Sequence, residues 1–433
     1  MRKLIVFLCV IGLIVSFSSP LMAGGIVNKQ NQSADYMRTL TRHAATDYAD
    51  IAAYNPAGIM KMENGSYGKL DIMYFDKDYA NKVPGFGTLD QDEPSICPGA
   101  FAVYKEENWA GFFAFTIPAG GGTLDYGDGS ARTVGLATQI IAGANAQLAL
   151  LPVPDPTQFF YNQIDSMDIK AEGCTVYGFT FGASLAINDM WSIAGGVRYS
   201  KGARALEGGA KMSAANPFPA PGVNDPINAR LKIEQEADGM AGILGVNFAP
   251  NDKLNTALTY ISNTPMKYKN EVKTDTLGIA PAIGFADGSK TQIDIPALLG
   301  VGISYKFLPK LKVDLNYTHY FEGSAKIDTF EDEGDSWDLG ISAEYTFSPQ
   351  WKASLGYLYT DIDLSDDQQI NEPEEPKLDA NTIGAGAVWS PTPAWAVTFG
   401  GAYVMYDDVK DSLDIKYEKT VWNLSVGVQW KFQ

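Results

Sequence analysis

The chain has 433 residues, 45% hydrophobic, 19% charged and 12% aromatic, with 43 Gly and a formal net charge of −18. Such an acidic balance argues against nucleic-acid and anionic-lipid partners, and three Cys are too few for a disulfide scaffold. The length suits either several soluble domains or one up-and-down barrel, and the Gly and aromatic enrichment favours the barrel.

At the N-terminus, Arg2 and Lys3 precede an apolar run from Leu4 to Phe17. Ser18-Ser19-Pro20 ends the run, and Leu21-Met22-Ala23 closes on a small residue, the pattern of a secretory signal peptide cut near Ala23. The run falls short of the ~20 residues a spanning helix needs. Cys9 lies inside it, not at a cleavage site, so no lipid anchor is expected. Residues 24 to about 64 come next. They are polar, partly helical in pattern, and too polar to cross lipid, which makes them either a periplasmic tail or a plug.

From about residue 65 the chain alternates, as strands do when every second side chain faces the same way. In the last segment Trp422, Leu424, Val426, Val428, Trp430 and Phe432 alternate with Asn423, Ser425, Gly427, Gln429 and Lys431. Segments 311–322, 337–347 and 351–360 repeat the pattern. A soluble sandwich alternates too, but it has no reason to space its aromatics regularly. Trp191/Tyr199, Trp337/Tyr345, Trp351/Tyr359, Trp395/Tyr403 and Trp422/Trp430 each stand eight apart on one face. Eight residues of tilted strand span roughly 20 Å of membrane normal, near the height of the apolar band between two aromatic girdles.

Connection lengths add to this. Short turns at 106–108, 188–190, 250–253, 308–310, 348–350 and 390–393 alternate with long stretches at about 76–98, 118–168, 202–230, 265–296, 323–335, 361–380 and 407–417. That predicts fourteen antiparallel strands with long loops outside, the bacterial outer-membrane layout. Phe432, one place from the end, resembles the terminal aromatic of such barrels. The best remaining helical candidate, Val134 to Val153, is broken by Gly135, Gly143 and Pro152, so only closed β-structure would satisfy the backbone in lipid.

The stretch before the first strand carries Gln32-Ser33 and then Asp50-Ile51-Ala52-Ala53-Tyr54-Asn55-Pro56-Ala57-Gly58-Ile59. Asn before Pro is an ordinary helix start. In this setting, however, the segment resembles the N-terminal hatch of the FadL family, which comprises long-chain fatty-acid transporters and TodX-like aromatic-hydrocarbon channels. The likeness extends loosely to Gly239–Val246, to Leu258–Asn263, and to Ile295-Pro296-Ala297 at a strand start. It implies a hatch spanning 24–64, with Asn55, Pro56 and Ala57 as its motif, inside a barrel spanning 65–433. It also implies a greasy landing loop and a kink in the third strand that opens sideways into the bilayer.

Loop 118–168 fits that expectation, since it carries Leu136, Ile140, Ile141, Leu148, Leu151, Phe159 and Phe160, the first five at helical spacings. These residues either capture a hydrophobic ligand or pack the loop onto the barrel mouth. Arg198 and, if its strand runs on, Arg204 point inward, as partners for a ligand carboxylate or as members of a polar network holding the plug. His43 and His319 are the only histidines, one in the hatch and one at a belt position, and no catalytic or metal-ligating constellation appears. No enzyme activity, metal or cofactor is therefore expected. Glu331-Asp332-Glu333 and Glu372–Glu375 read as solvated loop tips, and Cys97 and Cys174 as unpaired.

The expected protein is a monomer in a Gram-negative outer membrane, surrounded by lipid and lipopolysaccharide, passing hydrophobic small molecules by diffusion. Fatty acids and aromatic hydrocarbons remain equally open as substrates. A polar-solute porin and a surface-display or adhesion barrel are the alternatives.

Overall fold

The computed structural model describes residues 33–220, 222–328, 334–364 and 372–432. The signal segment ending at Ala23, Gln32, Glu331-Asp332-Glu333 and the side chain of Cys174 lie outside the described residues.

The alternating segments form fourteen antiparallel strands in one closed sheet. The first six are β1 (Gly65–Val83), β2 (Gly87–Gln91 and Ser95–Lys105), β3 (Trp109–Tyr126), β4 (Gln163–Ala186), β5 (Trp191–Ser213) and β6 (Ile227–Phe248). Two interrupted strands follow: β7 (Leu254–Ile261 and Lys267–Asp275) and β8 (Lys290–Gln292 and Ala297–Leu308). The rest are β9 (Leu311–Phe321), β10 (Ser336–Ser348), β11 (Trp351–Ile362), β12 (Ala380–Thr392), β13 (Trp395–Tyr406, extended by Val409–Lys410) and β14 (Lys416–Phe432). β14 closes the barrel on β1, from Ser66↔Phe432 to Lys82↔Lys416.

Side chains sort by parity. Leu70 and Ile72 on β1 are 55% and 54% exposed, whereas their neighbours Lys69 and Asp71 are buried. Apolar residues outside and charged ones inside invert the order of a water-soluble protein, so the outer face meets lipid. The aromatic pairs all lie on that outer face.

The strands run further outward than the apolar alternation predicts. Residues 118–126 of the expected loop belong to β3, and 163–168 to β4. β5 likewise continues to Ser213 and β6 begins at Ile227. Beyond the bilayer the two faces no longer differ in polarity, so the period-2 signal fades although the ladder goes on. Cross-strand ion pairs such as Lys232–Glu207 (3.0 Å) help hold it there. Between β3 and β4 lies α2 (Ala131–Leu148), started by a reciprocal cap between Ser130 and Thr133.

Residues 33–64 sit in the lumen. They contain α1 (Ala34–Thr39) and two short 3-10 helices, Ala49–Ala52 and Pro56–Lys61. The wall is shaped to receive them. A Cβ on Gly384 would stand 2.6 Å from the Met37 carbonyl, and one on Gly400 2.6 Å from that of Ala34. Only glycine lets the two backbones approach so closely. Among the described residues, no helix is long and apolar enough to cross a membrane.

Candidate functional site

The lumenal segment is held by buried charges. Ser33 caps α1 by accepting from Tyr36 N and donates to Asp50 at 2.7 Å. Arg38 bonds Asp35 (2.8 Å), Glu344 of β10 and Ser354 of β11 (3.1 Å). Arg42 pairs with Asp47 at 2.9 Å and with Asp50 at 2.7 Å, while Lys69 of β1 reaches Asp35 and Lys352 of β11 reaches Asp47. Burial opposes the charge of Asp35, but Lys69 and Arg38 outweigh it and hold the carboxyl well below its usual range. With opposite charges on both sides, Asp35, Arg38 and Asp47 are fully compensated only while segment and wall stay together.

Asn55-Pro56-Ala57 is a second anchor. Asn55 accepts from Gly58 N and donates to the Ala45 carbonyl and to Asn247 of β6, both at 2.9 Å. The carbonyls of Pro56 and Ala57 accept from Ser184 of β4 and Ser192 of β5, each at 2.7 Å. A capping Asn followed by Pro thus turns three consecutive polar groups toward three adjacent strands.

His43 lies between the Tyr54 carbonyl (3.5 Å) and the Thr318 hydroxyl (2.8 Å). Burial pushes its imidazole down to about 4, against partial support from the Tyr54 carbonyl and Asp338. Neutral His43 is therefore part of the native state. Because its folded pKa is depressed below the unfolded value of 6.5, stability is full above pH 6.5 and falls as pH drops toward 4, by up to about 3 kcal/mol. The thermal midpoint of the barrel, read from heat-modified gel mobility, is expected to fall between pH 7 and pH 4.5. His43→Gln should remove most of that fall. An equal fall in the variant would assign it to other groups.

On the outer side, α2 and the β7–β8 connection enclose a groove of about 850 Å³, counting its open side. Leu136, Ala137 and Ile140 of α2 face Leu277, Ile283 and Phe285 across it, over a floor that includes Ile169 of β4 and Leu206 of β5. Ile169 belongs at the same time to the main apolar cluster of the barrel interior, and Leu206 packs against it. That cluster includes Ile117, Leu124 and Tyr126 of β3, Tyr36 and Met37 of α1, and Leu40 just after it. Apolar packing is thus continuous from the outer groove to the lumenal segment.

Of the expected capture residues, Leu136 and Ile140 line the groove. Ile141 packs beside it against the cluster shared by α2, β5 and β6, Leu148 is buried, and Leu151 and Phe160 are half-buried. Phe159 packs edge-to-face on Phe218, at 4.7 Å between ring centres. Ile141, Leu148, Leu151, Phe159 and Phe160 thus all lie outside the groove lining.

The wall is interrupted beside β3. Its ladder with β4 shifts register between Thr116 and Leu124, where Gly120 and Gly122 take positive φ of 99° and 83°. Among the described residues, β2 and β3 pair only from Ala100↔Phe115 to Lys105↔Ala110, although β2 stays paired with β1 up to Ser95. Lys77 of β1 explains the bend: its ammonium, fully buried, donates to the carbonyls of Gly121 (2.8 Å) and Thr123 (2.7 Å), and Ser95 adds a bond to the former. The bulge is drawn into the lumen, and a seam opens between β2 and β3.

The two inward arginines separate. Arg198 is buried, and among the described residues it has no carboxylate partner; Nη2 reaches Thr264 Oγ1 at 3.4 Å and Nε has no partner. Arg204 is engaged by Gln235 at 2.6 Å and by the Tyr268 ring. His319 sits on the outer face between Tyr317 and Asp335, and Cys97 is a buried free thiol.

The acidic run at 372–375 departs from expectation. Glu372, Glu374 and Glu375 are buried in the barrel mouth, not solvated at a loop tip. The reason is local pairing: Glu374 meets Ser130 and Arg132, and Glu375 meets Lys419. None of those partners is near in sequence.

A closed, lipid-facing barrel with a charged plug inside defines an outer-membrane transport architecture. Residues 170–432 match the family described as outer membrane protein transport protein (OMPP1/FadL/TodX). The chain belongs to that family, and its place is the outer membrane of a Gram-negative bacterium. Among solved structures it is similar to a Pseudomonas aeruginosa FadL homologue at 14% identity and a TM-score of 0.67, covering 93% of this chain and 99% of that one. It is also similar to the Pseudomonas putida toluene transporter TodX (13%, 0.59, covering 90% and 96%) and the Ralstonia pickettii toluene transporter TbuX (14%, 0.57, covering 95% and 99%). At such identities these likenesses establish the fold. No curated protein sequence matches the chain.

Proposed function

We propose that the protein admits hydrophobic small molecules through the outer membrane by diffusion. The observation that carries this reading is the apolar continuity, through Ile169 and Leu206, between the outer groove and the interior. A hydrophobe gains ~0.8 kcal/mol per buried CH₂ in such surroundings, so capture needs no other energy source. Leu136 and Ile140 receive the ligand, and Ile141, Leu148, Leu151, Phe159 and Phe160 hold the loop that presents them. Residues 24–64 act as the hatch, with Asn55, Pro56 and Ala57 as its anchor on β4–β6. The seam between β2 and β3 offers a sideways exit into the bilayer.

Arg198, with no carboxylate partner among the described residues, would receive an acidic head group, and Arg204 serves the wall's polar network. Every strand carries an apolar outer face, which supports a monomer ringed by lipid and lipopolysaccharide. No reaction is assigned, because His43 is locked into the hatch and His319 faces outward.

Uptake of labelled oleate and toluene by cells with and without the protein tests this. Leu136→Asp or Ile140→Asp should reduce uptake about tenfold, since each buries an unpaired charge in the groove, while Phe159→Ala should change it little. Uptake of every hydrophobe unchanged by loss of the protein would reject the reading.

A further inference from the structure

Residues 372–378 turn inward from the β11–β12 connection and stop the outer mouth of the lumen. Leu378 lies in the interior apolar cluster, and a Cβ on Gly121, at the β3 bulge, would stand 2.9 Å from Glu375 Oε2. Asn81 of β1 donates to the Pro373 carbonyl at 2.7 Å, Tyr126 of β3 to that of Glu374 at 2.9 Å, and Lys419 of β14 to that of Pro376 at 3.4 Å. Most telling is the Glu374 carboxylate. It accepts from Ser130 Oγ at 2.5 Å and from Arg132 Nε at 3.0 and 3.2 Å. Ser130 caps α2, and Arg132 lines the groove. The clamp on this segment is therefore part of the candidate capture site.

We propose that Arg132 is a head-group site for anionic amphiphiles, and that Glu374 is the resident carboxylate such a ligand displaces. An acid laid along the groove exchanges with Glu374 at Arg132, and residues 372–378 leave the mouth. The exchange replaces one charge-assisted bond by another, so Arg132 stays paired, and Glu374 moves into water. A neutral hydrophobe fills the groove but offers nothing in place of Glu374. Opening would then break the charge-assisted bonds between Arg132 and Glu374 in the groove and put nothing in their place, which is unfavourable. Selection between acid and neutral ligands thus occurs before the lumen is entered. The inference rests on the uptake reading for its purpose, but its test reads the segment itself.

The full-length chain carries Leu378→Cys, with Cys97→Ser and Cys174→Ser, in outer-membrane vesicles. The rate of labelling by a membrane-impermeant maleimide is measured alone, with oleate, and with oleyl alcohol of the same chain length. Labelling should be slow alone and with the alcohol, and roughly fivefold faster or more with oleate. Glu374→Gln should label fast without ligand, and Arg132→Gln should label fast and ignore oleate. Lys377→Cys serves as a second reporter if Leu378→Cys lacks the heat-modifiable mobility of a folded barrel. Equal acceleration by acid and alcohol, or labelling indifferent to Glu374→Gln, overturns the proposal. Failed uptake alongside the expected labelling would instead sink the transport reading and leave the latch standing.

Discussion

Deleting residues 33–62 is expected to turn the barrel into an open pore whose ion conductance in planar bilayers exceeds that of the intact protein about tenfold or more. The wall that the deletion uncovers bears Lys69, Asp71, Lys312, Asp314, Glu344 and Lys352, all of them now buried or nearly so. Without Asp35, Arg38, Arg42 and Asp47 opposite them, these charges hold water and counter-ions in place of protein. The fourteen-strand ladder needs nothing from the deleted segment, because β1 begins at Gly65 and pairs with β2 and β14 alone. Heat-modifiable mobility should therefore persist. A folded deletion protein that conducts no better than the parent would mean that the segment does not seal the lumen.

Arg38→Ala should have the next largest effect. Arg38 is fully buried and joins Asp35 to Glu344 and Ser354, so its loss removes the charged link between α1 and strands β10 and β11 and leaves, among the described residues, only the Ser354 bond to the residue-38 carbonyl. Breaking one partner out of a buried network costs about 3–5 kcal/mol, because the remaining carboxylates keep their desolvation without full compensation. The expected signs are a lower thermal midpoint and protease cleavage within residues 33–62 of an otherwise intact barrel. Arg38→Lys should restore only part, since a point charge cannot serve three acceptors in one fork. Normal protease resistance in Arg38→Ala would place the anchor elsewhere, at Asn55 and its strand partners.

Much of this architecture is legible in the residues themselves. Period-2 alternation and paired aromatics mark the membrane band, because there the two faces of each strand meet different solvents. Six short turns containing residues such as Pro309, Pro349 and Pro391 mark the periplasmic rim. The hatch motif is legible for another reason: Asn55 and Pro56 are local helix-start chemistry, visible wherever they occur. Other features depend on partners distant in sequence and leave no local trace. Glu374 looks like a solvated acid until Arg132 is placed beside it. The seam depends on Lys77 reaching Gly121, a contact that Pro118-Ala119-Gly120-Gly121-Gly122 hints at only as a bend. The inward glycines Gly384 and Gly400 read as weak points of a strand, when each is a seat for hatch backbone. Their parity was the available signal: both stand on the lumenal face among polar residues, where a barrel filled with water would have no use for them.

The joining of the first strand to the last has a consequence for biogenesis. The lumen does not exist as an enclosed space until β14 has docked on β1. Residues 33–64 immediately precede β1, so they wait at the unfinished edge while every other strand is laid down. Asp35, Arg38 and Asp47 find further counter-charges on the inner surfaces of β1, β10 and β11. In hydrocarbon they would find none. A barrel closed with this stretch on its lipid side would leave those ions without their wall partners, so solvation favours the lumenal side.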